Sequence, residues 1–145
     1  MREVEKLVRE VNRLHFTVFH QTLSQFGLGK GQPPILKYLS LNDGCKQSDI
    51  AKREHLTAAT VTVMLQTMEK NGLIERKNDE NDLRIMRVYI TQKGREVQLR
   101  CDEAIENMEK EIYEDFTEDE IKAFKKLLTK KRDRLKVLLE MEENI

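Results

Sequence analysis

Between Val4 and Phe26, apolar residues return every three or four positions: Val4, Leu7, Val8, Val11, Leu14, Val18, Phe19, Leu23 and Phe26. That spacing predicts one long amphipathic helix of about six turns, with Gly27 at a C-terminal cap position. GQPPILKYLSLNDG predicts a second helix. Pro33 and Pro34 fit its first turn, where a missing N–H costs nothing. Ile35, Leu36 and Leu39 form its buried face with Tyr38, and Asn42-Asp43-Gly44 ends it as a turn. KQSDIAKREHL predicts a short third helix that starts at Gln47 or Ser48 and turns Ile50 and Ala51 inward. In LTAATVTVMLQTMEKNGLIER, Val61, Met64, Leu65 and Met68 stand at i, i+3, i+4 and i+7, with Thr57 as N-cap and Asn71-Gly72 as stop. A hairpin competes here, because Thr60-Val61-Thr62-Val63 alternates with period two and Asn-Gly is a hairpin turn. The helix is preferred because its stripe continues through Met68 and the third helix needs a partner.

The period changes in LIERKNDENDLRIMRVYIT. Ile74 and Arg76, the polar run Lys77-Asn78-Asp79-Glu80-Asn81-Asp82, then Ile85, Arg87 and Val88-Tyr89-Ile90 predict a β-hairpin with a long tip. A helix follows from Thr91, with Val97, Cys101, Ile105, Met108, Ile112 and Phe116 as its stripe. Thr117-Glu118-Asp119-Glu120 is a capping box, with Phe116 and Ile121 as its hydrophobic staple. The last helix carries Ile121, Phe124, Leu127, Leu128, Leu135, Leu138 and Leu139. The order α, α, α, α, β-hairpin, α, α makes a winged helix-turn-helix. The expected fold is mainly α with a small β-wing, flanked by long N- and C-terminal helices. Those outer helices are more apolar on one face than a lone small domain needs. Three segments result: an N-terminal helix over 1–29, the winged helix-turn-helix over 30–95, and C-terminal helices over 96–145.

The 145 residues hold 26 Lys/Arg and 26 Asp/Glu, so net charge alone proposes no partner. Its distribution does. Residues 30–100 hold 13 basic and 9 acidic side chains, residues 101–145 hold 9 and 14, and residues 1–29 hold 4 and 3. A basic middle predicts a polyanion partner for the winged segment. No apolar run approaches the ~20 residues of a membrane span. MREVEKLVREV lacks a signal-peptide core, so a cytoplasmic protein without membrane contact is expected. Cys45 and Cys101 do not make a disulfide framework. There is no Gly-rich phosphate loop, no nucleophile-base order and no His/Cys grouping, so no enzyme, cofactor or metal is expected. His15 and His20, five residues apart, miss the spacing of a helical metal pair.

The run from Ile50 to Gly94, IAKREHLTAATVTVMLQTMEKNGLIERKNDENDLRIMRVYITQKG, resembles the core of MarR-type transcriptional regulators. The likeness is carried by Ile50-Ala51, Thr60-Val61-Thr62, Glu69 to Arg76, Asp82-Leu83-Arg84 and Ile90-Thr91-Gln92-Lys93-Gly94. The resemblance implies an obligate homodimer whose N- and C-terminal helices interleave. Here Val4, Leu7, Val8 and Val11 would pack with Leu127, Leu128, Leu135, Leu138 and Leu139. It also implies a repressor that grips a palindrome of double-stranded DNA. Release would follow from a small phenolic or other aromatic effector, or from thiol oxidation.

From Leu56 to Gln66 the recognition helix has no Lys, Arg, Asn or Asp. With its stripe turned inward, Ala58, Ala59, Thr60, Thr62, Val63 and Gln66 lie outside. Ala, Val and Thr methyl groups suit thymine methyls, while Thr hydroxyls and Gln66 suit base edges or phosphates. Backbone N–H groups from Thr57 to Thr60 suit one phosphate. Relatives often carry a basic residue after Thr62, and this chain has Val63, so an A·T-rich half-site is expected. Phosphate affinity is expected from elsewhere: Arg84 first, with Lys77 and Arg87 in the wing, and Ser48, Lys52 and Arg53 on the third helix. Asp82, two residues before Arg84, is placed to aim its guanidinium at a narrow minor groove. Arg76 is expected to serve the scaffold.

His15, Phe16, Phe19 and His20, facing Leu36 and Leu39, are the candidate effector pocket that the resemblance places in this region. Cys45, beside Lys46, is the candidate reactive thiol, and Cys101 in an apolar stripe the inert one. Two other functions compete: a winged-helix protein-interaction module without sequence-specific DNA binding, and a thiol redox-sensing regulator.

Overall fold

Nine elements follow one another in the computed structural model, which describes residues 1–143. They are α1 (Arg2–Ser24), α2 (Gln32–Leu41), β1 (Cys45–Lys46), α3 (Gln47–Arg53), α4 (Ala58–Lys70), β2 (Ile74–Asn78), β3 (Met86–Ile90), α5 (Gln92–Ile112) and α6 (Glu118–Glu143). The fold is mainly α with a small wing, as the periodicity predicts. Its described residues form two units, residues 1–108 and residues 109 onward.

Local chemistry explains most boundaries. Gly31 takes φ +78° at the start of α2, with proline at its first positions. The Thr57 hydroxyl accepts the Thr60 N–H at 3.2 Å and caps α4. The stripe, not the Thr-Val alternation, decides α4: Val61, Leu65 and Met68 are fully buried, with Met64 half-buried. The capping box before α6 closes reciprocally, Thr117 N–H to Glu120 at 2.8 Å and Glu120 N–H to Thr117 at 3.2 Å. Helix α5 ends at Ile112, so Phe116 lies in the connection beyond it and not on the stripe.

The sheet has the order β1-β3-β2, all antiparallel. Strand β1 is absent from the sequence reading. Two residues offer no alternation to detect, and the strand exists because Cys45 pairs with Val88 and Lys46 with Arg87. The wing is also longer than expected. Lys77 and Asn78 belong to β2, opposite Arg87 and Met86, so the tip shrinks to residues 79–85.

The core gathers Ile35, Leu36 and Leu39 of α2, Ile50 of α3, the α4 stripe, Leu73, Ile74, Val88 and Ile90. The start of α5 is locked to it. Thr91 Oγ1 donates to Gly72 O at 2.6 Å and accepts the Gly94 N–H at 3.0 Å. A Cβ on Gly94 would lie 2.2 Å from the Leu73 carbonyl oxygen. Farther along, Lys37 meets Asp102 at 2.9 Å and Arg95 meets Asp43 at 3.1 Å, two ion pairs that hold α5 against α2 and its following turn.

The long helices keep their apolar faces uncovered. On α1 only Leu23 is buried, while Val4, Leu7, Val11, Leu14 and Val18 are exposed and Val8 half-exposed. On α6, Leu127, Leu128, Leu135, Leu138 and Leu139 are all exposed.

Candidate nucleic-acid interface

Two surfaces carry the predicted contacts, the outer face of α4 and the wing. On α4, Ala58, Ala59, Thr60, Val63 and Gln66 are exposed, Val63 at 62 %, while Thr62 is half-buried. Thr62 is a positioning residue in this geometry. Its hydroxyl donates to Ala58 O at 2.9 Å and accepts Gln47 Nε2 at 2.8 Å, which ties the first turn of α3 to α4. Gln47 was not among the predicted residues, and a lone Gln beside a predicted helix start gave no signal. Thr57 donates to Thr60 Oγ1 at 2.9 Å, so the hydroxyls at the helix start are aligned as a pair. The turn that delivers α4 carries His55 at φ +52°. A cleft of about 270 Å³ between α3, α4 and the wing brings Ser48, Ala58 and Arg84 together, with Lys46, Gln47 and Ala51 on the same walls.

The wing tip is built from its own polar groups. Asp82 accepts Arg84 Nε and Nη2 at 3.0 Å each, and the Arg84 backbone N–H at 3.0 Å. The guanidinium is thus held in one direction while 90 % of the side chain stays exposed. Arg87 stands differently. Its Nε donates to Asp79 and its Nη1 to Gly44 O at 2.9 Å, which joins the wing to the turn after α2. Lys77 reaches Glu75 at 3.7 Å and lies over the Tyr89 ring at 5.7 Å. Arg76 is a scaffold residue: it bonds both oxygens of Glu69 through its N–H and Nη2, at 3.1 Å each.

These bonds hold the carboxyls of Asp79 and Asp82 below the ordinary range, chiefly through Arg87 and Arg84 respectively. A carboxyl depressed in the folded chain stabilises the closed tip above its unfolded pKa of about 3.9, and that help is lost as pH falls through the lower folded value. The amide signals of Asn81, Asp82 and Arg84 are therefore expected to titrate only in strong acid, with midpoints below the free-carboxyl value of about 3.9. Midpoints at or above about 3.9 would mean that the carboxyls are not clamped.

Residues 31–86 match the model of the MarR family. Over 92 % of its length, and 92 % of the relative's, the chain is 24 % identical to the uncharacterized HTH-type transcriptional regulator YsmB of Bacillus subtilis. It is 28 % identical to MepR, a transcription regulator of the Staphylococcus aureus multidrug efflux pump MepA, at a TM-score of 0.79, with 90 % of this chain and 97 % of that one covered. A mutant of S. aureus MepR bound to an oligodeoxyribonucleotide is also similar, at 28 % identity and a TM-score of 0.67, over 91 % of this chain and 97 % of the other. The MarR family match thus covers the winged core of the chain, residues 31–86. MarR-family proteins are winged-helix transcription regulators, not enzymes. Among the described residues of the chain, no helix is long and apolar enough to cross a membrane.

The remaining predicted residues fall in two places. Of His15, Phe16, Phe19 and His20 on α1, the last three meet: the His20 ring stands 4.1 Å from Phe16 and 5.8 Å from Phe19, both edge-on, while His15 is exposed. Leu36 and Leu39 do not open toward a cavity; both are fully buried in the winged-domain core. The expectation that Lys46 lowers the Cys45 pKa is overturned. Burial raises it first, followed by Asp49, with Asp43 adding to the rise, all brought near by the fold. Cys101 is buried and pushed up to about 11 by desolvation, with Asp102 adding to it. Both shifts act against thiolate formation, so the Cys45 environment does not favour a redox role.

Proposed function

We propose that this chain is a homodimeric cytoplasmic repressor that binds a palindromic operator and is released by a small aromatic effector. The observation that carries the reading is one combination: an exposed α4 face of small apolar side chains beside a wing arginine held outward by Asp82. Such a helix lies deep in a major groove and touches thymine methyls through Ala58, Ala59, Thr60 and Val63, with Gln66 free for a base edge. Ser48, the N–H groups from Thr57, Lys77 and Arg84 supply phosphate and groove contacts. Arg87, engaged with Asp79 and Gly44, and Thr62 shape the surface more than they touch DNA. The oligonucleotide-bound MepR mutant supports DNA as the partner.

Residues 30–95 form the DNA-binding part, and residues 1–29 and 96–145 pair two copies. The uncovered stripes of Val4, Leu7, Val8 and Val11 on α1 and of Leu128, Leu135, Leu138 and Leu139 on α6 support this. The stretch of α1 that carries His15, Phe16, Phe19 and His20 is the place for an aromatic effector.

Selection of random duplex DNA on the purified protein at two salt concentrations tests the reading. The expected product is a palindrome with A·T-rich half-sites about one helical turn apart. Replacing its thymines by uracil removes only methyl groups, and each contacted methyl is worth on the order of 0.8 kcal/mol, about fourfold in affinity. A selected site centred on one dominant guanine would sink the methyl reading. No enriched sequence, with weak binding that vanishes in salt, would favour a protein-interaction module.

A further inference from the structure

We propose that Leu83 is a second groove-contacting residue of the wing, an apolar prong that presses on the deoxyribose walls of the minor groove beside Arg84. The inference rests on the DNA-binding reading above and adds a residue and a kind of contact to it.

The tip that carries Leu83 is closed without its side chain. Asp79 N–H donates to Ile85 O at 2.8 Å, and Ile85 N–H to Asp82 O at 3.0 Å. Asp79 Oδ2 accepts the Asn81 and Asp82 N–H groups at 3.0 and 3.1 Å, and Asn78 Nδ2 reaches Leu83 O at 2.8 Å. Only the backbone carbonyl of Leu83 takes part, so many residues would serve the fold equally at this position. Yet a leucine stands there with 75 % of its surface exposed, between the clamping Asp82 and the clamped Arg84. The exposed leucines of α1 and α6 recur at helical spacing along one face; Leu83 belongs to no such stripe.

A cation and an aliphatic group side by side on a rigid tip match one polymer surface well. The minor groove of B-form DNA is about 6 Å wide, narrower and more negative in A·T tracts, which attracts an inserted guanidinium. Its walls are deoxyribose C–H groups, which suit an apolar side chain, and leucine is among the residues that such proteins set against this groove. Duplex RNA offers instead a wide, shallow minor groove lined with 2′-hydroxyls, a poor match for leucine. Because Asp79, Asp82 and Asn78 fix the tip beforehand, placing the side chain costs little ordering on binding.

The test compares wild type, Leu83→Ala and Leu83→Gln on the duplex recovered by selection, over a salt series, with hydroxyl-radical footprints of each complex. Both variants are expected to bind roughly tenfold more weakly with the salt slope unchanged, since no charge is lost. The sugars under the wing, protected in the wild-type footprint, are expected to become cleavable. Wild-type affinity in both variants, or unprotected wing sugars in the wild-type complex, would overturn the proposal while leaving DNA binding standing. A wild-type protein that binds no duplex would overturn the DNA reading and this contact with it.

Discussion

Arg84→Ala is expected to weaken binding to selected and random duplexes alike, by roughly tenfold to a hundredfold at physiological salt. The slope of log K against log salt is expected to fall by about one for each wing engaged. The expectation follows from the fork that Asp82 makes with Arg84. The guanidinium stays exposed and keeps a fixed direction before DNA arrives, so little rotamer freedom is lost on binding. An exposed ion pair of this kind adds little to folding stability, so the melting temperature should barely change. Removing the arginine also leaves the Asp82 carboxylate unneutralised near phosphates. The double change Asp82→Ala with Arg84→Ala isolates that repulsion and should bind somewhat better than Arg84→Ala alone. Affinity and slope both unchanged in Arg84→Ala would reduce the wing to a solvated hairpin.

Gly94→Ala should do the reverse, damaging the fold before any function is measured. Within a helix, glycine to alanine usually stabilises by about 1 kcal/mol. Here the sign turns, because the new methyl would sit 2.2 Å from the Leu73 carbonyl oxygen and 2.8 Å from Ile90 Cγ1. A backbone oxygen at that position cannot swing aside as a side chain would. Relief requires lifting α5 off the base of the wing, which strains the bonds of Thr91 to Gly72 and Gly94. The loss is expected to be on the order of 4 kcal/mol, a fall in Tm of roughly 10–20 °C by thermal denaturation. A variant that melts with the wild type would show that α5 is not seated on Leu73.

How far the chain could be read in advance depended on whether a signal was local. Pro33-Pro34, Thr57, the α4 stripe and the Thr117 capping box act within a few residues, and each sits where its chemistry places it. The Asp82–Arg84 fork is local too, two residues apart, and was legible as a pair. What could not be read depended on distant parts of the chain. Strand β1 needs Val88 opposite Cys45. Arg87 looked like a free cation until the fold brought Asp79 and Gly44 to it. Cys45 stands beside Lys46 in sequence, yet burial and then Asp49 raise its pKa in the fold. Leu36 and Leu39 looked available to a ligand, yet the core takes both. At the interface, a stripe tells which side chains of α4 face outward, but not that Thr62 has its hydroxyl engaged with Ala58 and Gln47.

The pairing of Cys45 with Val88 has a kinetic consequence. Everything from α3 to the wing tip lies inside the loop that this two-residue strand closes. The β2–β3 ribbon spans a short stretch of chain and can zip early, whereas β1 must wait for a long loop to be drawn shut, a slower event. During synthesis, a finished recognition unit cannot exist until Val88 has emerged from the ribosome. A chain stalled or clipped before that point would carry all of α4 and still lack a fully assembled reading head.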